Sequence, residues 1–127
     1  MSATDKTGVD EIAVMHLEDE IDISNSRSTL KTILGGVPTD SIGVVVDLTG
    51  VRYIDSSGVR ILFQIADTMS AGRRHLAISV PEGSPLRRLL SVTQMSAVTP
   101  VCATVDEARK AIRRLADEAS GNVSSHE

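Results

Sequence analysis

With 127 residues, a net charge of −4 and 41% hydrophobic residues, the chain is of a size for one domain with a modest core. One Tyr, one Phe and no Trp leave no stacking platform for single-stranded nucleic acid, and a negative charge without any basic run weighs against nucleic acid altogether. The single cysteine, Cys102, excludes an internal disulfide and a thiolate-rich metal site and fits a reducing, cytoplasmic setting, and no apolar run is long enough to span a membrane.

Residues 1–8 are polar and small, which predicts a flexible N-terminal segment and no signal peptide. The apolar run 12–17 predicts a strand. Ser24 to Ser28 offer several N-caps for a helix over 24–34. Leu30, Ile33 and Leu34 form its buried stripe, and Gly35, Gly36 and Pro38 end it. Val44, Val45, Val46 and Leu48 form a β-branched run too short for an ordinary helix, which predicts a strand over 43–48 covered on both faces. From Val59 the period changes to that of a helix, through Leu62, Phe63, Ala66 and Met69, predicting a helix over 58–71 with Gly72 beyond its end.

A further strand over 75–80 is closed by Pro81. Ser84 then caps a short helix with Pro85 in its first position. A Pro-broken strand over 98–102 suits a sheet edge. Thr104 and Glu107 form a capping box, and Val105, Ala108, Ile112, Leu115 and Ala119 share one face of the helix that follows. The last residues, 118–127, read as a disordered tail. Strands alternating with helices imply an α/β domain with at least some parallel pairing through right-handed crossovers.

The chemistry-bearing residues are few. Ile54-Asp55-Ser56-Ser57-Gly58 places polar and small residues at a strand-to-helix junction. Any of Asp55, Ser56 and Ser57 serves as an N-cap there, its side-chain oxygen satisfying an orphan N–H of the helix. Asp47, inside an apolar run, either bonds neighbouring turn N–H groups or points outward. His16 and His75 sit in strands without Cys, Asp or His at ligand spacing, so no metal site and no cofactor are expected. Cys102 reads as a small buried hydrophobe. Catalysis is not expected: the Ser56 surroundings lack a Gly-x-Ser-x-Gly elbow, and no Gly-x-Gly-x-x-Gly or Walker Gly-Lys pair occurs. A phospho-acceptor receiver domain, with Asp47 as acceptor and Asp19-Glu20 as the acidic pair, lacks the later strand-end Lys.

Three stretches together resemble the STAS domain family, and in particular its free-standing anti-sigma factor antagonists. Glu20-Ile21-Asp22 is similar to the family's Gly-Glu-Ile/Leu-Asp box, Val44 to Asp55 to its central strand and following turn, and Asp55-Ser56-Ser57-Gly58 to its signature turn. The likeness covers 9–117 and implies a STAS-type domain, a mixed sheet of four to five strands with about four helices. It implies an antagonist that binds an anti-sigma factor with GHKL-type serine kinase activity and so releases a sigma factor. Phosphorylation at the first Ser of the turn, Ser56, ends that binding, and a PP2C-type phosphatase restores it; Ser57 is a lesser acceptor. Glu20, Asp22, Asp55, Ser57, Gly58 and Arg60 are the partner-binding residues on this reading. A scaffold or regulatory subunit of a stressosome or lipid-transport complex is the alternative. Two positions depart from the family pattern: Asp19 stands where the box usually has Gly, and Arg60 where many antagonists have a second Gly.

Overall fold

The computed structural model describes residues 11–119. The expected flexible N-terminal segment lies outside these residues, as does all of the expected tail beyond Ala119. Four strands and four helices alternate: β1 Ile12–Ile21, α1 Ser26–Gly35, β2 Gly43–Ile54, α2 Ser56–Ala71, β3 His75–Ser79, α3 Pro85–Val92, β4 Val101–Cys102 and α4 Val105–Ala119. The sheet order is β1-β2-β3-β4, and every strand pair among the described residues is parallel. An antiparallel partner of the expected mixed sheet is therefore not among them. Because strand order follows chain order, right-handed crossovers carry α1, α2 and α3 to the same face of the sheet. β4 lies at an edge, as Pro100 just before it predicted.

The two faces separate by strand alternation. Ala13, Met15, Val44, Val46 and Ile78 meet Ile33, Leu62, Ile65 and Leu90 from the three helices. Ile12, Val14, Val45 and Ala77 point the other way and meet Ala108 and Ile112 of α4. The Val44-Val45-Val46 run is buried throughout because both faces are covered.

Several boundaries differ from the expectation. β1 and β2 both outrun it and continue as a two-stranded ribbon past β3, pairing Glu18 to Ile21 with Gly50 to Ile54. Glu20 and Arg52 thus lie in strands; cross-strand pairing overrides the weak strand propensity of Glu20. The strand expected over 98–102 shrinks to two residues, because Met95–Ala97 form a 3₁₀ turn and buried Met95 anchors it. α4 continues to Ala119, two residues into the expected tail. α1 starts at Ser26, two residues later than expected, and Asn25 before it makes no side-chain capping bond. The end signals of α3 and α4 hold. Ser84 accepts the Leu86 N–H at 3.1 Å with Pro85 in the first turn, and Thr104 accepts the Glu107 N–H at 3.1 Å.

Candidate functional site

The site grows from the end of the β1–β2 ribbon. α2 starts at Ser56, two residues before the expected position, because Asp55 alone is its N-cap. The Asp55 backbone is extended, and its Oδ1 accepts the N–H groups of Ser57 at 2.8 Å and Gly58 at 3.2 Å. Its own N–H donates to the Ile21 carbonyl at 3.2 Å, and its Oδ2 accepts the Ile23 N–H at 3.2 Å. One aspartate thus closes the first turn of α2 and holds the β1–α1 loop against it.

Ser56 and Ser57 are consequently the first two helical residues, not caps. Ser56 is exposed, and among the described residues neither its hydroxyl nor its N–H has a hydrogen-bond partner. Ser57 is half-buried and its hydroxyl is likewise unengaged. Gly58 is buried. A Cβ there would lie 2.6 Å from Ile54 Cγ2 and 2.9 Å from the Ile21 carbonyl oxygen. Gly58 therefore lets α2 start tight against the ribbon, a structural reason for glycine at this position beside its expected contact role.

The upstream box splits into two parts. Asp22 shapes the loop: its Oδ1 accepts from Ser24 N at 2.9 Å and Ser24 Oγ at 2.6 Å, and its N–H donates to Asn25 Oδ1 at 3.0 Å. The Ser24 hydroxyl, chiefly, holds the Asp22 carboxyl below the ordinary carboxylate value. Glu20 lies back on the ribbon, exposed, 3.8 Å from Arg52. Asp19 adopts φ 68°, at an irregularity in the β1–β2 register. The departure from Gly therefore keeps the left-handed backbone, which Asp tolerates better than most residues.

Asp47 belongs to a different place. It points to the α4 face and is 8% exposed. Its Oδ1 accepts from Thr49 N at 3.1 Å, Thr49 Oγ1 at 2.6 Å and Ser79 Oγ at 2.9 Å, while Oδ2 lies 2.7 Å from His16 Nδ1. Burial alone would raise its carboxyl, but the donors from Thr49, His16 and Ser79 outweigh burial and hold it below the ordinary value. With both oxygens occupied, Asp47 is a structural hub rather than a receiver-type phospho-acceptor. Burial, aided by Glu107, raises the Cys102 thiol, which keeps it protonated and packed beside the α4 face. Among the described residues no cluster of His, Cys, Asp and Glu suits a metal ion, and no helix is long and apolar enough to cross a membrane.

Two residues of this surface carried no signal in the sequence. Ile23 and Arg27 sit where the β1–α1 loop and α1 meet α2, beside Arg60. Only the packing of α1 on α2 brings them there.

A family model for the STAS domain matches residues 3–108. The chain belongs to the STAS domain family. Solved structures share the STAS fold. A Thermotoga maritima protein described as an anti-sigma factor antagonist superposes with a TM-score of 0.74 at 21% identity, covering 87% of this chain and 95% of that one. An anti-sigma factor antagonist from Mycobacterium paratuberculosis gives 0.73 at 23% identity, over 87% and 92%. The Bacillus cell fate determinant SpoIIAA, in its phosphorylated form, gives 0.56 at 20% identity, over 84% and 96%. Among curated proteins, no sequence relative matches. Among the described residues of this STAS domain, the signature turn is the one place where an exposed, unengaged hydroxyl stands on a helix start built by an acidic cap.

Proposed function

We propose that this STAS domain is a cytoplasmic anti-sigma factor antagonist whose switch is phosphorylation of Ser56. Its partner on this reading is an anti-sigma factor with GHKL-type serine kinase activity, and binding releases the sigma factor. The kinase moves the γ-phosphoryl group of ATP to Ser56 Oγ, and a PP2C-type phosphatase removes it. The observation that carries this is the Ser56 hydroxyl itself, exposed and without a hydrogen bond among the described residues; the resemblance of the Asp55-Ser56-Ser57-Gly58 turn to the family signature is what suggests it as the acceptor. Among the described residues no side chain accepts from the Ser56 hydroxyl as a general base would, and the neighbouring Asp55 oxygens take backbone N–H groups instead, so Ser56 suits a substrate of another enzyme better than a nucleophile of its own. The antagonists with a similar fold, one of them in a phosphorylated form, support the same reading.

A phosphate on Ser56 adds about −1.5 to −2 charge at neutral pH. Asp55 already occupies the N–H groups of Ser57 and Gly58, so the first turn offers the phosphate only the Ser56 N–H. Arg60 lies four residues on, the spacing at which helix side chains meet. The phosphate thus stays on the surface, next to Asp55 and within reach of Arg60, and acts by charge and bulk against a partner rather than by unfolding the domain.

The test incubates purified protein with ATP and each candidate anti-sigma kinase of the same cell, then locates any phosphate by mass spectrometry. Ser56→Ala should abolish the modification, bind the kinase as wild type does, and melt within about 0.5 kcal/mol of wild type, since it removes no hydrogen bond. Ser56→Asp should bind more weakly. Equal affinity of both variants, or modification elsewhere only, would overturn the switch. Recovery of a transport ATPase in place of a kinase would favour a scaffold role.

A further inference from the structure

A groove of about 350 Å³ runs between α1 and α2 beside the signature turn. Leu30 of α1 and Ile61 of α2 line it, and Ile23, 80% exposed, stands at its edge. Arg27 enters from α1 and Arg60 from α2. On a chain of net charge −4, no acidic residue lines this groove. Among the described residues neither guanidinium has an acidic partner. Three other arginines are engaged: Arg52 faces Asp19 and Glu20, Arg74 donates to the Pro38 carbonyl, and Arg87 donates to the Val80 carbonyl. Arg73 and Arg88 also have no acidic partner among the described residues, but neither lines this groove. Ser26, Ser57 and Gln64 complete the lining, so the groove is mixed: an apolar strip of Ile23, Leu30 and Ile61, neutral polar groups, and two guanidinium groups without an acidic partner among the described residues. That combination matches a ligand with an apolar side chain next to a carboxylate.

We propose that the α1–α2 groove receives an acidic, amphipathic segment of the anti-sigma factor, with a carboxylate held between Arg27 and Arg60 and an apolar side chain covering Ile23, Leu30 and Ile61. This rests on the antagonist reading above and names the chemistry of its partner. Arg60, the family departure, becomes half of a two-helix clamp, and Arg27 is the other half. The apolar contact supplies affinity and the charge pair supplies selectivity, so a partner presenting a basic residue here is rejected.

The test uses the purified kinase that modifies Ser56 in the experiment above and measures its affinity for unphosphorylated wild type and surface variants by calorimetry. Arg27→Glu and Arg60→Glu should each weaken binding by about tenfold or more, and Ile23→Ser by a smaller factor. Arg88→Glu, an exposed charge reversal on α3, should leave affinity unchanged, and unchanged melting of all four variants excludes misfolding. Reversing the partner's matching Asp or Glu to Arg should restore binding to Arg27→Glu. Wild-type affinity in both groove reversals would overturn the groove and leave the antagonist reading standing. If wild type binds no anti-sigma kinase, the antagonist reading falls, and the groove's occupant falls with it.

Discussion

The Asp55 carboxylate accepts the backbone N–H of Ile23 at 3.2 Å, across 32 positions of sequence. The same side chain caps α2 through Ser57 and Gly58. A helix cap and a loop anchor are therefore one residue, and the loop carrying Asp22 and Ile23 is registered to the serine turn by a carboxylate. Asp55→Ala should cost about 1–2 kcal/mol, the worth of an N-cap plus an orphaned N–H. Asp55→Asn, which keeps one acceptor oxygen, should cost less. Urea unfolding measures both, and faster amide exchange at Ile23 should accompany the loss. An alanine variant as stable as wild type would remove the anchor.

Gly58→Ala sets two effects against each other. Alanine is the better helix former by about 1 kcal/mol. Its Cβ, however, would sit 2.9 Å from the Ile21 carbonyl oxygen and 2.6 Å from Ile54 Cγ2, and backbone on a paired ribbon does not yield cheaply. The clash should win, with a net loss of about 1–3 kcal/mol in denaturant unfolding. A gain in stability would show that α2 can shift off the ribbon.

Asp19 tests the left-handed position at φ 68°. Asp19→Gly should be neutral or stabilising by up to about 1 kcal/mol, because glycine adopts this backbone without a Cβ clash. Asp19→Val should destabilise by about 1–2 kcal/mol, since a β-branched side chain is worst there. The exposed pair with Arg52 at 3.9 Å adds little in either case. Thermal melts that ranked valine level with glycine would contradict the assignment.

The Asp47 hub predicts a pH dependence. Its carboxyl lies below 3.8 in the fold and returns to about that value in the unfolded chain. The unfolded state then binds the proton first, so this stabilisation is complete above that value and lost as pH falls through the folded one. Asp47→Asn should lower stability near neutral pH by about 1–3 kcal/mol and should lose less than wild type on acidification below about pH 4. Urea midpoints across pH measure the difference between the two curves; parallel curves would show that another group carries the acid sensitivity.

Much of this molecule was legible in the chain. The switch from the β-branched run at Val44 to helical spacing at Val59 located both β2 and α2, because side-chain period is a local property. Ser84 with Pro85, and Thr104 with Glu107, marked their helices because caps are local hydrogen bonds. The serine turn was visible for the same reason, although three residues competed for its cap. Tertiary structure made that choice: position 55 is tied to the ribbon by its N–H bond to the Ile21 carbonyl, and the Asp55 carboxylate also takes the Ile23 N–H. It also lengthened β1 and β2 into a ribbon, buried Gly58 beneath it, and gathered His16, Thr49 and Ser79 around Asp47. Arg27 and Arg60 share a groove only because α1 packs on α2. Residues on neighbouring turns announce themselves by spacing; residues brought together across the fold do not, because their contact is created by packing and has no local period.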